Sequence, residues 1–110
     1  MKIEITSFED IGAIGKAVRK SQRFDQGTLG MLSGNGINFV SQLESGNKKT
    51  MEIGRVLELL ETLGIKLIVD VPVPHDIHAK EEMLKYLDRA NIKVDMKNAL
   101  VKNKKGIISE

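Results

Sequence analysis

The chain contains no cysteine and no tryptophan, and its 110 residues include one tyrosine, three phenylalanines and two prolines. Without cysteine there is no disulfide, no thiolate nucleophile and no cysteine-ligated zinc. The same absence suits a cytoplasmic protein, and the cytoplasm is the expected location. So few aromatics require an aliphatic core. No apolar run approaches the roughly 18 residues of a membrane span, so no membrane association is expected. The opening MKIEITSFED lacks the apolar centre of a signal peptide, and none is expected. There is no nucleophile elbow, no P-loop and no pair of carboxylates in an evident pocket. The expectation is therefore a protein that is not an enzyme and carries no cofactor.

At 41% hydrophobic and 29% charged, the chain has globular composition. Its length fits one domain, or one small domain with an appendage. The net charge of +2 is unevenly placed. Residues 1–72 hold nine Lys/Arg and nine Asp/Glu, whereas residues 73–110 hold eight and six. A nucleic-acid-binding face in the first part must then be a local basic patch with the acids turned elsewhere.

The stretch Leu29–Glu44, LGMLSGNGINFVSQLE, organises the rest. Leu29 and Leu32 mark one short helix. Ser33-Gly34-Asn35-Gly36 interrupts it, since glycine costs about 1 kcal/mol per helical position. Ile37, Val40, Leu43 and Glu44 then recur at helical spacing. Two helices joined at a glycine-bearing turn form a helix-turn-helix, whose second helix fits the DNA major groove. Leu29, Leu32, Val40 and Leu43 are expected in the core, and Phe39 is read as packing rather than as a stacking platform.

Around this stretch the pattern predicts further elements. Residues 1–7 form an N-terminal segment in which Lys2-Ile3-Glu4-Ile5 alternates like a short strand. Ser7 and Asp10 resemble a capping box opening a first helix, with Phe8, Ile11, Ile14, Gly15 and Val18 on one side. Lys16, Arg19, Lys20 and Arg23 make a basic side. Gly12 and Gly15 suggest close packing against a neighbour. Asp25 caps a helix over 26–32, and the next helix runs over 36–44. Thr50 caps a fourth, with Ile53, Val56, Leu57, Leu60 and Leu63 as its stripe and Gly64 as its terminator. Ile65–Val71 reads as a β-branched strand needing a partner, either Lys2–Ile5 or its own copy in a second chain. Pro72 and Pro74 close it. The segment His75–Asn91 is an amphipathic helix with Ile77, Met83 or Leu84, Leu87 and Ile92 on its stripe. Asp95 can cap a short helix over 96–102, and residues 102–110 read as loose.

Four residues carry the argument from pattern to chemistry. Arg19 on the first helix and Glu44 at the end of the third can form a bidentate pair that locks the helices. Gln26, at the start of the second helix, can hydrogen-bond a phosphate beside free backbone N–H groups. Gly46 lets the chain reverse. With these in register, residues 8–64 resemble the XRE/Cro (lambda-repressor-like) family of helix-turn-helix regulators. The run Gly34–Lys48 and the later Val56-Leu57-Glu58-Leu59-Leu60-Glu61-Thr62-Leu63-Gly64 are most similar to HipB-type antitoxins. The chain departs from the family at three positions. Asp25 stands for a usual threonine, Gly30 for a usual alanine, and Asn35 for a usual apolar residue. Asn35 is open to two readings, as a cap for the third helix or as a DNA-facing amide.

The resemblance implies a mainly α fold. A four-helix DNA-binding domain over 8–64 is followed by a short dimer-forming strand at 65–72 and a helical C-terminal extension over 73–110. It implies phosphate contacts by Gln26, Thr28, Lys48 and Lys49, and base contacts by Ile37, Asn38, Ser41 and Gln42. Asparagine and glutamine amides pair with adenine, and isoleucine can meet a thymine methyl. For Asn38 and Ser41 a plain solvated helix surface is the competing reading. Burial of Leu67, Ile68, Val69 and Val71 in a homodimer would set two reading helices on an inverted-repeat operator of double-stranded DNA. The antitoxin resemblance adds autorepression of a toxin–antitoxin operon and binding of a HipA-type Ser/Thr kinase toxin. The alternatives are a phage-type or restriction-control repressor without a toxin, and an interaction adaptor that does not bind DNA. His75 and His78, with Glu81 and Glu82, have ligand-like spacing but no second cluster, so no metal site is expected.

Overall fold

The computed structural model describes residues 1–95, 100–103 and 106–108. Five helices come first: α1 (Phe8–Ser21), α2 (Gln26–Ser33), α3 (Ile37–Ser45), α4 (Ile53–Thr62) and α5 (Ile77–Arg89). Three short strands follow, β1 (Lys93–Asp95), β2 (Leu100–Asn103) and β3 (Gly106–Ile108). The chain divides into two compact units, Met1–Lys66 and Leu67–Glu110.

The first unit is the helix-turn-helix domain. α3 packs against both α1 and α2, and α2 packs against α4. Leu29, Phe39, Val40, Leu43, Val56, Leu59, Leu60 and Leu63 form the buried core, which is aliphatic apart from Phe39. Each such side chain contributes about 1.5–3 kcal/mol when removed from water. Phe8, Ile11, Val18, Phe24, Met51 and Ile65 pack around the core at half burial. Leu32, expected inside, is 54% exposed, because α2 turns only its Leu29 side inward. On α4, Ile53 and Leu57 likewise face outward while Val56, Leu59, Leu60 and Leu63 are buried.

The helix ends show why these residues stop where they do. Asp25 caps α2, its carboxylate accepting from the Thr28 N–H at 2.6 Å. The Asp10 carboxylate accepts from the Ser7 N–H at the start of α1. The N-cap of α4 is Glu52 rather than Thr50, and its side chain makes no cap bond. After α2, the Asn35 N–H donates back to Gly30 O and the Gly34 N–H to Met31 O around a left-handed Gly34 (φ 75°). After α4, Ile65 and Gly64 repeat that pair of bonds onto Leu60 and Glu61. This is the reciprocal termination that glycine at C′ permits. α1 and α5 end the same way around Arg23 and Asn91, the two non-glycine residues with positive φ among the described residues.

Two close approaches fix the packing. A Cβ on Gly12 would land on the Leu43 carbonyl, so α1 and α3 meet backbone to backbone there. A Cβ on Gly30 would strike the Gly36 carbonyl and lie 2.7 Å from the Ile37 nitrogen. The alanine usual in the resembling family therefore does not fit this turn. Gly15 has no neighbour within 4 Å, so only Gly12 marks a tight contact on α1.

Neither Lys2–Ile5 nor Ile65–Val71 forms a strand. A β-ladder exists only where a second strand supplies partners, and the described strands pair with one another. Leu67, Ile68, Val69 and Val71 are 38%, 53%, 77% and 49% exposed.

In the second unit Asp76 caps α5 through the Ala79 N–H at 3.0 Å. Met83, Leu84, Leu87 and Ile92 are half-buried, while Ile77 is exposed. The helix expected over 96–102 is replaced at 100–102 by β2, and its first part, 96–99, lies outside the described residues. The three strands form an antiparallel meander in the order β1-β2-β3. Val94 pairs with Val101, and Val101 with Ile108. The end read as loose thus includes β3 and part of β2, while 104–105 and 109–110 lie outside the described residues. Val94, Val101, Ile107 and Ile108 suit strands better than helix.

Candidate nucleic-acid interface

Ile37, Asn38, Ser41 and Gln42 occupy the first two turns of α3 at i, i+1, i+4 and i+5, a spacing that puts them on one face. All four are exposed, Ile37 by 53%. The opposite face, Phe39, Val40 and Leu43, is buried in the core. Lys48 and Lys49 stand exposed in the irregular segment between α3 and α4.

Glu44 anchors the C-terminal end of α3. Its two oxygens accept from Arg19 Nε at 2.6 Å and Nη2 at 2.9 Å. Both side chains are nearly removed from solvent, at 8% and 4% exposure. Arg19 also donates to the Phe24 carbonyl at 2.7 Å, which holds the α1–α2 corner. Gln26 Nε2 donates to Glu44 Oε1 at 3.1 Å. The residue expected on phosphate is thus tied, by at least one amide proton, into the same network. Burial pushes the Glu44 carboxyl up, but the bonds from Arg19 and Gln26 outweigh it and leave its pKa below the ordinary value. The Glu44 bonds hold the Arg19 guanidinium above its own ordinary value.

Thr28 is half-buried, and its N–H is taken by Asp25. That bond and one from the Thr28 hydroxyl hold the Asp25 carboxyl below the usual carboxylate range. An ionised side chain therefore already sits where the N-terminus of α2 would attract a phosphate.

At the other end of α3 the structure uses a residue that the sequence pattern does not single out. Arg55, on α4, donates from Nε to Asn35 Oδ1 at 2.8 Å and from Nη2 to the Asn35 carbonyl at 2.9 Å. Asn35 Nδ2 returns bonds to the Arg55 and Ser33 carbonyls at 3.3 and 3.2 Å. The Arg55 guanidinium lies 4.2 Å from the centroid of the Phe39 ring. Asn35 neither caps α3, whose N-cap is Gly36, nor offers its amide outward. No signal along the chain marks Arg55, which lies beside the α4 stripe as a solvated cation would.

No family model matches the chain. A relative in Sinorhizobium fredii (strain NBRC 101917 / NGR234), described as the uncharacterized HTH-type transcriptional regulator y4mF, is 43% identical over 63 residues. The match takes in 57% of this chain and 82% of that one. The chain belongs to the HTH-type transcriptional regulators. Among solved structures the regulator superposes on one called MDT Protein with a TM-score of 0.59 at 18% identity, covering 64% of this chain and 97% of that one. That likeness is one of fold. A second match, the restriction-modification controller protein C.AhdI from Aeromonas hydrophila, has a TM-score of 0.49 at 25% identity and covers 54% of this chain and 84% of that one.

Among the described residues of this regulator no three His, Cys, Asp or Glu side chains gather as a metal site. His78, Glu81 and Glu82 line a shallow depression on α5 with Lys85 and Tyr86. No described helix is long and apolar enough to cross a membrane.

Proposed function

We propose that this regulator is a sequence-specific, dimeric repressor of the HipB-type antitoxin kind. It reads an inverted-repeat operator with α3 and is bound by a HipA-type kinase. The observation that carries the DNA-reading part is the exposed α3 face. Ile37, Asn38, Ser41 and Gln42 are open while the helix behind them is pinned by Arg19 and Glu44. Asn38 and Gln42 offer bidentate amides for adenine, and Ile37 an apolar tip for a thymine methyl. Lys48, Lys49 and Gln26 take the phosphates on either side, and the Thr28 hydroxyl joins them by turning from the Asp25 carboxylate.

The exposed run Leu67, Ile68, Val69 and Val71 supports the dimer. Four consecutive or alternating apolar side chains left exposed in this irregular segment offer an edge that a second copy can pair with. Two reading helices would then lie about 34–36 Å apart, one DNA turn. The antitoxin part rests on the motif likeness of Gly34–Lys48 and Val56–Gly64.

The test is binding to the DNA upstream of the protein's own gene against a scrambled fragment at several salt concentrations. Preference for the native fragment at one dimer per inverted repeat supports the repressor. Absence of preference, with negligible affinity at low salt, makes the protein an adaptor. Val69→Lys returns the protein to monomers by sedimentation if the run is the dimer edge. Co-purification of a kinase encoded beside the gene supports the antitoxin reading. Its absence leaves a repressor of the phage or restriction-control kind.

A further inference from the structure

We infer that Arg55 and Asn35 form a positioning clasp that sets the angle at which α3 meets DNA, and so governs sequence discrimination. The inference rests on the DNA-reading role proposed for α3. α3 is nine residues long, about 13 Å of helix. Its C-terminal end is fastened to α1 through Glu44 and Arg19. Its N-terminal end has no side-chain fastening of its own, only the Gly36 N–H donating to Gly30 O at 3.0 Å. Gly36, the N-cap, makes no side-chain bond, and both Gly34 and Gly36 have positive φ. A turn of that composition has many backbone states available. The clasp removes them. Asn35 spends its carbonyl, both ends of its side-chain amide and its N–H on Arg55, Ser33 and Gly30. Arg55 at the same time covers the Phe39 ring, which lies in the first turn of α3. One α4 side chain therefore touches both the turn and the helix that follows it.

The geometry separates two parts of binding. Ile37 and Asn38 lie at the clasped end and Ser41 and Gln42 one turn further along the same face, whereas Lys48 and Lys49 follow the other end. Bidentate base contacts need positions good to roughly 0.5 Å and 10–20°. Attraction of lysines to phosphates tolerates far more and carries no sequence information. Loosening the clasp should therefore cost specific binding and spare non-specific binding.

Two substitutions test this without removing charge. Asn35→Ala deletes the acceptor, and Arg55→Lys keeps the cation but loses the planar fork. Both are measured in the full chain for thermal midpoint, affinity for the native upstream fragment, affinity for scrambled DNA and the salt slope. The expected result is at least a tenfold loss on the native fragment with scrambled-DNA affinity within twofold, the salt slope unchanged and the protein still folded. Arg55→Lys should not restore the preference. Equal losses on both DNAs, or no loss, would overturn the clasp's role. Amide exchange separates the clasp from the DNA reading. Asn35→Ala should speed exchange at the first turn of α3 and not in α1. If the unmodified protein shows no preference for its own DNA but this local speeding is seen, the DNA reading falls and the positioning stands. If the speeding is absent, the clasp is wrong whatever the DNA result.

Discussion

A single carboxylate decides much of this domain. Glu44 accepts from α1 and from α2 while sitting at the end of α3, so three helices meet on two oxygens. Removing one member of a buried ion pair strands the other, at a cost of about 3–5 kcal/mol. Glu44→Ala is expected to destabilise by that amount, a large share of the 5–15 kcal/mol usual for a domain of about this size. Its thermal midpoint should fall by roughly 12 °C or more. Asp25 predicts the opposite kind of change. Asparagine caps as well as aspartate, but the charge favoured by Arg19 and the helix N-terminus is lost, so Asp25→Asn should lower the midpoint only slightly. By removing an anion from the start of α2 it should tighten DNA binding severalfold at low salt. Of these residues, Arg19, Glu44 and Asp25 were legible in the sequence because their roles are set by spacing along the chain. Arg55 was not. Its partner Asn35 was open to two other readings, and an arginine in an amphipathic helix looks like any solvated cation.

At the scale of elements, the glycines report on contacts between backbones. Gly30→Ala gains helix propensity, about 1 kcal/mol, but pushes a methyl group into the backbone of Gly36 and Ile37. The strain of such overpacking is about 1–3 kcal/mol in general. The expected outcome is a net loss of stability by denaturant unfolding. Gly15→Ala meets nothing and should stabilise by about 0.5–1 kcal/mol. Helix positions were readable because apolar periodicity, Asp25 and Gly64 all agree. The face of a helix was less so: Leu32, Ile53 and Leu57 fit the apolar stripes but lie on the outer sides. The strands within 93–108 were missed because segments of three and four residues are too short to show alternation. At Ile65–Val71 the composition is that of a strand, but pairing depends on a second strand, which composition does not supply.

For the whole molecule, pH is the simplest probe. Glu44, Asp10 and Asp25 all have folded values below their ordinary ones. For Asp10 and Asp25 the cause is hydrogen bonds, led by the Thr6 and Thr28 N–H groups. In Glu44 the Arg19 and Gln26 bonds overcome burial. A depressed carboxylate binds its proton more weakly in the folded state. Its stabilisation is therefore complete above the unfolded values, about 3.9–4.3, and is lost as pH falls through the folded ones. Stability should be flat in this respect from neutral pH to about 5 and decline below about 4. Thermal unfolding at a series of pH values, in the full chain and in Glu44→Gln, checks both the direction and the share due to Glu44. A decline beginning near pH 6 would point to groups other than these three.

The order of folding follows from the way the helices end. α1, α2, α4 and α5 each close with the same reciprocal backbone bonds around a left-handed residue, so each stop is written into half a dozen neighbouring residues. Such local contacts form early and quickly. α3 has no such pair at Gly46 and no side-chain cap at Gly36. Its limits are imposed by α1 through Glu44, by α2 through the Gly36 N–H on Gly30 O, and by α4 through the Asn35 turn. α3 must then be the last helix to acquire fixed ends during folding and the first to lose them. The segment that faces outward for recognition is the one whose order is borrowed from its neighbours.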